Sequence, residues 1–404
     1  MLDEQREIAF EDEIEVTEET EEANRFLLSA FVVGKDWTIE TIVSQLQRKN
    51  ILLNPGFQRR DAWSRERKSL FIESLIVGLP IPQIVLAESK TDRGKFIVLD
   101  GKQRLLSILQ FWGLADGENN GYSLSGLTIR TDLKRKDFAA LSSDPSLEPD
   151  YNSLCNQTIR TVVILGWKDT DFLHTVFLRL NTGSLKLSPQ ELRQALQPGK
   201  FSDYIDIAAG ESKGLRGILK TSAPDPRMRD TEILARYLSF YFFAKDYPGR
   251  MKDFLDSSFE KLNQNWEDNE IALKDAVSNF ELGVSELNRV FGSSLARKPG
   301  SPQFNRAIFD VLIYYHSKPE IRKSLENKDE ELTAGFSGLF GEGSDFSSAI
   351  ESDTAGTPNT ITRFRIWAET LSSILGFPVS SPEIPLRSRQ DPAQLVQNKL
   401  GIGT

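Results

Sequence analysis

Apolar residues begin to recur with a helical period just after Trp37. Ile39, Ile42, Val43 and Leu46 share one face, and Thr38 before them is a good helix cap. Ile51 to Leu53 reads as a short extended piece that meets Asn54-Pro55-Gly56, a strong turn signal. A second helix is predicted from the Ser64 cap, with Leu70, Phe71, Leu75 and Ile76 on its apolar side. Gly78 ends it, and Pro80 and Pro82 prevent its continuation. Gln83 to Glu88 and Lys95 to Leu99 read as two strands around the turn Thr91-Asp92-Arg93-Gly94. Asp100-Gly101 then leads directly into a helical pattern at Leu105, Leu106, Ile108, Leu109 and Trp112. The unit is helix, strand, turn, strand, tight turn, helix.

Residues 113–160 are loop-rich, with short strands predicted near Thr128 to Arg130 and Thr158 to Leu165. Asp171 to Leu180 is an amphipathic helix that stops at Asn181-Thr182-Gly183. Ser188-Pro189-Gln190-Glu191 opens another as a capping box with proline at the first helical position. From Asp230 to Phe377 the pattern is mostly helical, interrupted by a Gly/Ser-rich interval, Gly335 to Pro358, that reads as a mobile loop. The division this predicts is an acidic disordered arm over 1–24, an α+β domain over 25–200, a helical domain over 201–380 and a tail over 381–404.

Composition changes the picture in three places. A 39% hydrophobic fraction with 25 Phe and 6 Trp describes a folded globular chain. The single cysteine, Cys155, excludes an intrachain disulfide and a multi-cysteine zinc site. The net charge of −9 belongs to the arm: residues 1–24 hold eleven acids and only Arg6, which leaves the body at +1. The chain opens without the basic-then-apolar pattern of a secretory signal. Its most apolar run, Leu234 to Ala244, contains Arg236 and is far shorter than the ~20 residues a membrane span needs. A soluble cytoplasmic protein without a membrane partner is expected.

Three blocks could carry chemistry, and each has a purely structural reading beside it. In Val98-Leu99-Asp100-Gly101-Lys102-Gln103-Arg104-Leu105, a strand turns sharply into a helix, presenting the positive helix end beside Lys102 and Arg104. That is the recipe for a phosphate site; equally, Asp100 is an excellent N-cap and Asp100-x-x-Gln103 a capping pair. Phe57-Gln58-Arg59-Arg60-Asp61-Ala62-Trp63 offers guanidinium forks suited to phosphate, or a solvated basic rim. Phe177-Leu178-Arg179-Leu180-Asn181-Thr182-Gly183, followed by Glu191-Leu192-Arg193, could simply end one helix and cap the next.

Taken together, in this order and with Ile72-Glu73-Ser74-Leu75-Ile76 leading to Pro80-Ile81-Pro82, the blocks resemble the DGQQR-motif family. That family supplies the N-terminal domain of GmrSD-type restriction enzymes and of related phage-defence nucleotidases. The resemblance covers residues 35–200, and more loosely the helical part. It implies a ParB/sulfiredoxin-like N-terminal domain followed by a mostly α-helical one, α+β overall, with the Asp-Gly-x-Gln-Arg turn as the nucleotide site. By position it implies Asp100, Gln103 and Glu191 as catalytic residues. Arg59, Arg60, Gly101, Lys102, Arg104, Asn181 and Arg193 are implied as nucleotide- or phosphate-binding, and Asp100 as the candidate metal ligand. The sequence departs from the motif at Lys102, where glutamine is usual.

The function implied is a nucleoside triphosphatase using a nucleoside triphosphate with Mg2+, regulating a phage-defence or restriction response. Its partners would be nucleotide and DNA or a separately encoded nuclease. With only His174 and His316 in the chain, no HNH nuclease centre is expected. The alternative is a non-catalytic DNA-binding or adaptor module of the same fold.

Overall fold

A computed structural model describes residues 30–53, 61–90, 92–115, 120–167, 172–173, 176, 188–341 and 343–386. The acidic arm, most of the tail and most of the helix predicted over Asp171 to Leu180 lie outside them. The described residues divide into a sheet unit, those from 30 to 198 with 226–228, and a helical unit, those from 199 to 225 and from 229 to 386.

The sheet unit runs β1 (Phe31–Thr38), α1 (Ile39–Gln47), β2 (Ile51–Leu52), α2 (Arg65–Val77), β3 (Ile84–Glu88), β4 (Phe96–Asp100) and α3 (Lys102–Phe111). It continues through α4 (Phe138–Ser143), α5 (Glu148–Asn156), β5 (Thr158–Leu165) and α6 (Pro189–Leu196). Strand order is β1-β5-β3-β4-β2. β1 pairs antiparallel with β5 and β3 antiparallel with β4, while β3–β5 and β4–β2 are parallel. Together with the helical remainder this is an α+β fold.

Alternation in the two central strands explains the layers. Ile84 and Leu86 of β3 and Val98 of β4 face one apolar cluster, built with Ile39 and Ile42 of α1, Ile72 and Leu75 of α2, and Leu105 and Ile108 of α3. Val85, Ala87, Ile97 and Leu99 face the opposite side, where Trp167, Phe172, Leu173 and Leu192 of α6 cover them. Burying one such aliphatic side chain is worth about 1.5–3 kcal/mol. With both faces covered, the strands read as continuous apolar runs. The caps expected at Thr38, Ser64 and Ser188 are present, each accepting from the backbone N–H three residues on.

Two expectations are corrected. Thr128 to Arg130 is not a strand, because its amides are taken by a side chain: the buried Glu73 carboxylate accepts from Thr128 N (3.1 Å), Ile129 N (2.8 Å) and Arg130 N (2.7 Å). Burial pushes Glu73 up, but these amide bonds outweigh it and hold the carboxyl below its ordinary range. The Gly/Ser-rich interval is also not a loop. It holds the end of one helix, all of a second and the start of a third: α14 (Asp329–Ser337), α15 (Asp345–Glu351) and α16 (Thr357–Leu375). Its small residues serve packing. A Cβ at Gly335 would meet Thr370 Cγ2 at 3.0 Å and Ile374 Cδ1 at 3.1 Å, so glycine lets α14 approach α16 closely.

The rest of the helical unit is α7 (Lys200–Glu211), α8 (Lys213–Leu219), α9 (Arg229–Phe243), α10 (Met251–Gln264), α11 (Trp266–Phe291), α12 (Arg306–His316) and α13 (Pro319–Ser324). Phe240, Tyr247, Phe254 and Phe364 meet ring to ring at its centre. Arg236, which interrupts the apolar run of α9, is buried and paired with Asp310 of α12 (Nε to Oδ1, 3.0 Å). Among the described residues no helix is long and apolar enough to cross a membrane.

His316 is fully buried, with Nδ1 against the Leu312 carbonyl at 2.9 Å. Burial is the main cause that pushes its pKa down to about 4, below the ordinary 6.5, with the Arg322 charge adding to it. Because the unfolded chain takes up this proton first, stability should be full above pH 6.5 and decline as the pH falls towards 4. The decline should be roughly 3 kcal/mol. Urea melts across this range should show the slope, and a His316→Gln variant should lose it. Glu73→Ala, which strands three amides, should cost about 2 kcal/mol at pH 7; an unchanged urea midpoint would refute the clamp.

Candidate functional site

The turn between β4 and α3 gathers the site. β4 ends at Asp100, and Gly101 then takes φ +97°, a left-handed conformation that side chains resist. A Cβ there would stand 2.9 Å from Ile84 Cγ1, so the turn sits hard against β3. The sequence reading of Asp100 as the N-cap is corrected here. Gly101 occupies the cap position, and no side chain caps the helix. Asp100 remains in the strand and its Oδ2 accepts from Arg104 Nη2 at 2.9 Å. The same Nη2 donates to the Gln83 carbonyl at 2.9 Å, which ties the helix start to the entry of β3. A left-handed residue at the strand–helix junction turns Asp100 away from the first-turn amides.

Lys102 reaches the other partner helix. Its Nζ donates to Glu191 Oε1 at 2.8 Å, with only 5% and 3% of the two side chains exposed. Glu191 is at once the acid of the α6 capping box: Oε2 accepts from Ser188 N at 2.7 Å while Ser188 Oγ accepts from Glu191 N at 3.1 Å. Arg227 Nε lies 3.6 Å from Glu191 Oε2.

Beyond Glu191, α6 buries Gln190, Arg193 and Gln194 as well, and Arg193 Nη1 donates to Gln190 Oε1 at 2.6 Å. A short helix with so many buried polar side chains is costly unless each finds a partner. Two buried donors do not: Arg104 Nε and Gln190 Nε2 have no acceptor. Unfilled buried donors and a helix start without a side-chain cap together suit an anion.

The sequence-based candidates divide accordingly. Asp100, Gly101, Lys102, Arg104 and Glu191 are brought together, with Arg193 two residues further along α6. Gln103 points elsewhere, its Oε1 accepting from Ala62 N at 3.3 Å. Arg59, Arg60, Asn181 and His174 lie outside the described residues. No group of three or more His, Cys, Asp or Glu among the described residues could hold a metal, and Asp100 is engaged by Arg104.

Sequence reasoning missed a polar seam along α3. Gln103, Ser107 and Gln110 follow helical spacing, and Gln110 Nε2 donates to Asp61 Oδ2 at 3.0 Å. Buried Lys68 pairs with the same carboxylate. Burial, and secondarily the Asp61 charge, push the Tyr122 phenol far above its ordinary value. The polar spacing inside an otherwise apolar helix was the available signal. Arg227 gave none, since nothing local in the sequence relates it to residue 191.

Residues 39–197 match the family model for the GmrSD restriction endonuclease, N-terminal domain. No curated protein and no solved structure matches the chain.

Because Asp100 holds Arg104 and does not cap the helix, both Asp100→Ala and Asp100→Asn should destabilise. Alanine leaves a buried guanidinium partly unpaired, at about 3 kcal/mol, and asparagine keeps one acceptor but loses the charge, at roughly 1 kcal/mol. A capping residue would instead tolerate asparagine in silence. Urea denaturation of the two variants separates the cases.

Proposed function

We propose, from the match of residues 39–197 to the family model for the GmrSD restriction endonuclease, N-terminal domain, that the chain is a nucleoside-triphosphate-binding protein that hydrolyses the β–γ bond and thereby regulates a restriction-type, phage-defence response. The observation that carries this reading is the pair of acceptorless buried donors, Arg104 Nε and Gln190 Nε2, on the two helices that the Lys102–Glu191 ion pair joins. A phosphate offers the acceptor oxygens that these two donors lack.

In this reading the α3 start and Arg104 take phosphate oxygens, and Lys102 exchanges the Glu191 carboxylate for phosphate. Arg193 adds charge, while Arg59, Arg60 and Asn181 contribute by their place in the sequence motif. Water attacks the γ-phosphorus and the bond to the β-bridging oxygen breaks. Glu191, once released by Lys102, would orient that water, and Asp100 would meet a divalent cation only once Arg104 had turned from it to phosphate. The donor set fits magnesium only as a companion of the nucleotide, since one carboxylate cannot hold it alone. When bound, the cation would neutralise charge on the phosphate oxygens. Phosphoryl transfer asks mainly for such positioning and charge compensation.

The burial of Lys102 and Arg104 favours a small polyanion over a duplex, whose backbone phosphates meet exposed side chains. This weighs against the DNA-binding or adaptor alternative.

The test is a thermal-shift and phosphate-release panel over ATP, GTP, CTP and UTP with and without magnesium. At about 100 times its dissociation constant, a true ligand should stabilise the protein by about 2.7 kcal/mol. Phosphate release should accompany it and fall by about a hundredfold in Glu191→Gln, the scale set by losing one positioned polar group. No shift and no release with any of the four would sink the proposal.

A further inference from the structure

The polar seam of α3 leads, away from the helix start, to a second set of unmet polar atoms. Gln110 is only 2% exposed and lies between Leu109 and Phe111 of the apolar core. Its Nε2 donates to Asp61 Oδ2 at 3.0 Å, while its Oε1 has no donor among the described residues. Trp63 stands at the same carboxylate. Its backbone N–H donates to Asp61 Oδ1 at 3.3 Å, and its indole Nε1–H is buried without an acceptor. One unmet acceptor and one unmet donor are thus placed by the two oxygens of a single side chain. Leaving such a group buried and unpaired costs about 1–3 kcal/mol.

The polarity of the pair is fixed. A carboxylate only accepts, so the Gln110 amide turns its nitrogen to Asp61 and presents its oxygen on the other side; an indole N–H only donates. The position is fixed as well. Ala62, between Asp61 and Trp63, donates its backbone N–H to Gln103 Oε1 at 3.3 Å. Gln103 and Gln110 are two helical turns apart, so segment 61–63 spans about 10 Å of α3, starting from the turn that holds Arg104. Ala62 is exposed and Trp63 half-buried, so this segment forms the outer wall and Gln110 the inner one.

We propose that Trp63 and Gln110 hold the nucleobase of the triphosphate. The indole N–H donates to a ring nitrogen or carbonyl on the base edge, and the Gln110 oxygen accepts from the N–H beside it. The inference rests on the nucleotide reading above and gives that site a base-recognising end. The acceptor decides the ligand's chemistry. Ionised phosphates offer acceptors alone, so they could meet the indole but never the Gln110 oxygen, whereas the pairing edge of every natural base sets an acceptor beside an N–H donor. The separation from the start of α3 is comparable with the reach of a nucleoside from its base edge to its first phosphate. A site built to hydrogen-bond such an edge discriminates against a ligand that lacks it, because its buried polar groups then stay unpaired.

The experiment measures dissociation constants of ATP, GTP, CTP, UTP and inorganic tripolyphosphate for wild type, Trp63→Phe and Gln110→Met in magnesium buffer, together with ligand-free urea midpoints. Wild type should bind at least one of the nucleotides more tightly than tripolyphosphate. Each variant should weaken that nucleotide about tenfold, the scale of one hydrogen bond, and leave tripolyphosphate unchanged. Trp63→Phe keeps an aromatic ring beneath Arg67 and against Phe71, so it serves if Gln110→Met does not fold. Equal wild-type affinity for nucleotides and tripolyphosphate would overturn the base assignment and leave the phosphate site standing. So would variants whose urea midpoints move while the ratio of nucleotide to tripolyphosphate affinity stays that of wild type, the behaviour of two atoms that merely share a buried water. Absence of binding of all five ligands by wild type would overturn the nucleotide reading, and this inference with it.

Discussion

The Lys102–Glu191 ion pair is the constraint on which the sheet unit's arrangement turns. One charge sits on the first residue of α3, the other inside the capping box of α6, and the two positions are 89 residues apart in the chain. Removing both charges from water is expensive, and their attraction offsets that cost only when the remaining lone pairs are filled. Glu191 also accepts from Ser188 N and has the Arg227 charge 3.6 Å away, so the carboxylate that starts α6 is the same one that fixes where α6 lies relative to β4. Leu192, the next residue, then seals the apolar cluster over Ile97 and Leu99.

A buried pair of this kind contributes little net stability and much geometry. It places a helix start without a side-chain cap, a strand-end carboxylate and a run of buried polar side chains within one region. The cluster leaves Arg104 Nε and Gln190 Nε2 unsatisfied, an arrangement that native interiors rarely tolerate without a use. Gly101 makes the region possible. Its left-handed backbone and missing Cβ let the turn press on Ile84, and so direct Asp100 towards Arg104.

The helical unit solves its own charge problem in another way. Arg236 and Asp310 meet as a buried pair between α9 and α12, inside a core otherwise built from aromatic rings. His316 is kept neutral by the same core, which lowers its affinity for a proton and makes it an acid-sensitive point of stability. Both belong to the packing of the helical unit.

Local sequence fully determined the elements whose signals are local. Thr38, Ser64 and Ser188 cap the helices they were expected to cap, and the strand–turn–strand–helix order around Asp100-Gly101 stands, because caps, turns and periodicity involve neighbours within a few residues. The same short range misled it at three places. Asp100 carries the chemistry of a cap, but the φ of Gly101 and the guanidinium of Arg104 decided its bond. Thr128 to Arg130 has the residues of a strand, but Glu73, 55 residues earlier, took its amides. Gly335 and the serines after it have the composition of a loop, but Thr370 and Ile374 required a small neighbour. Which carboxylate Lys102 meets, and that Arg227 stands beside it, depends on pairings between distant segments, whose free energy exists only once both faces of the sheet are buried. The residue types of a site were therefore written in the sequence, while their partners were fixed by packing alone.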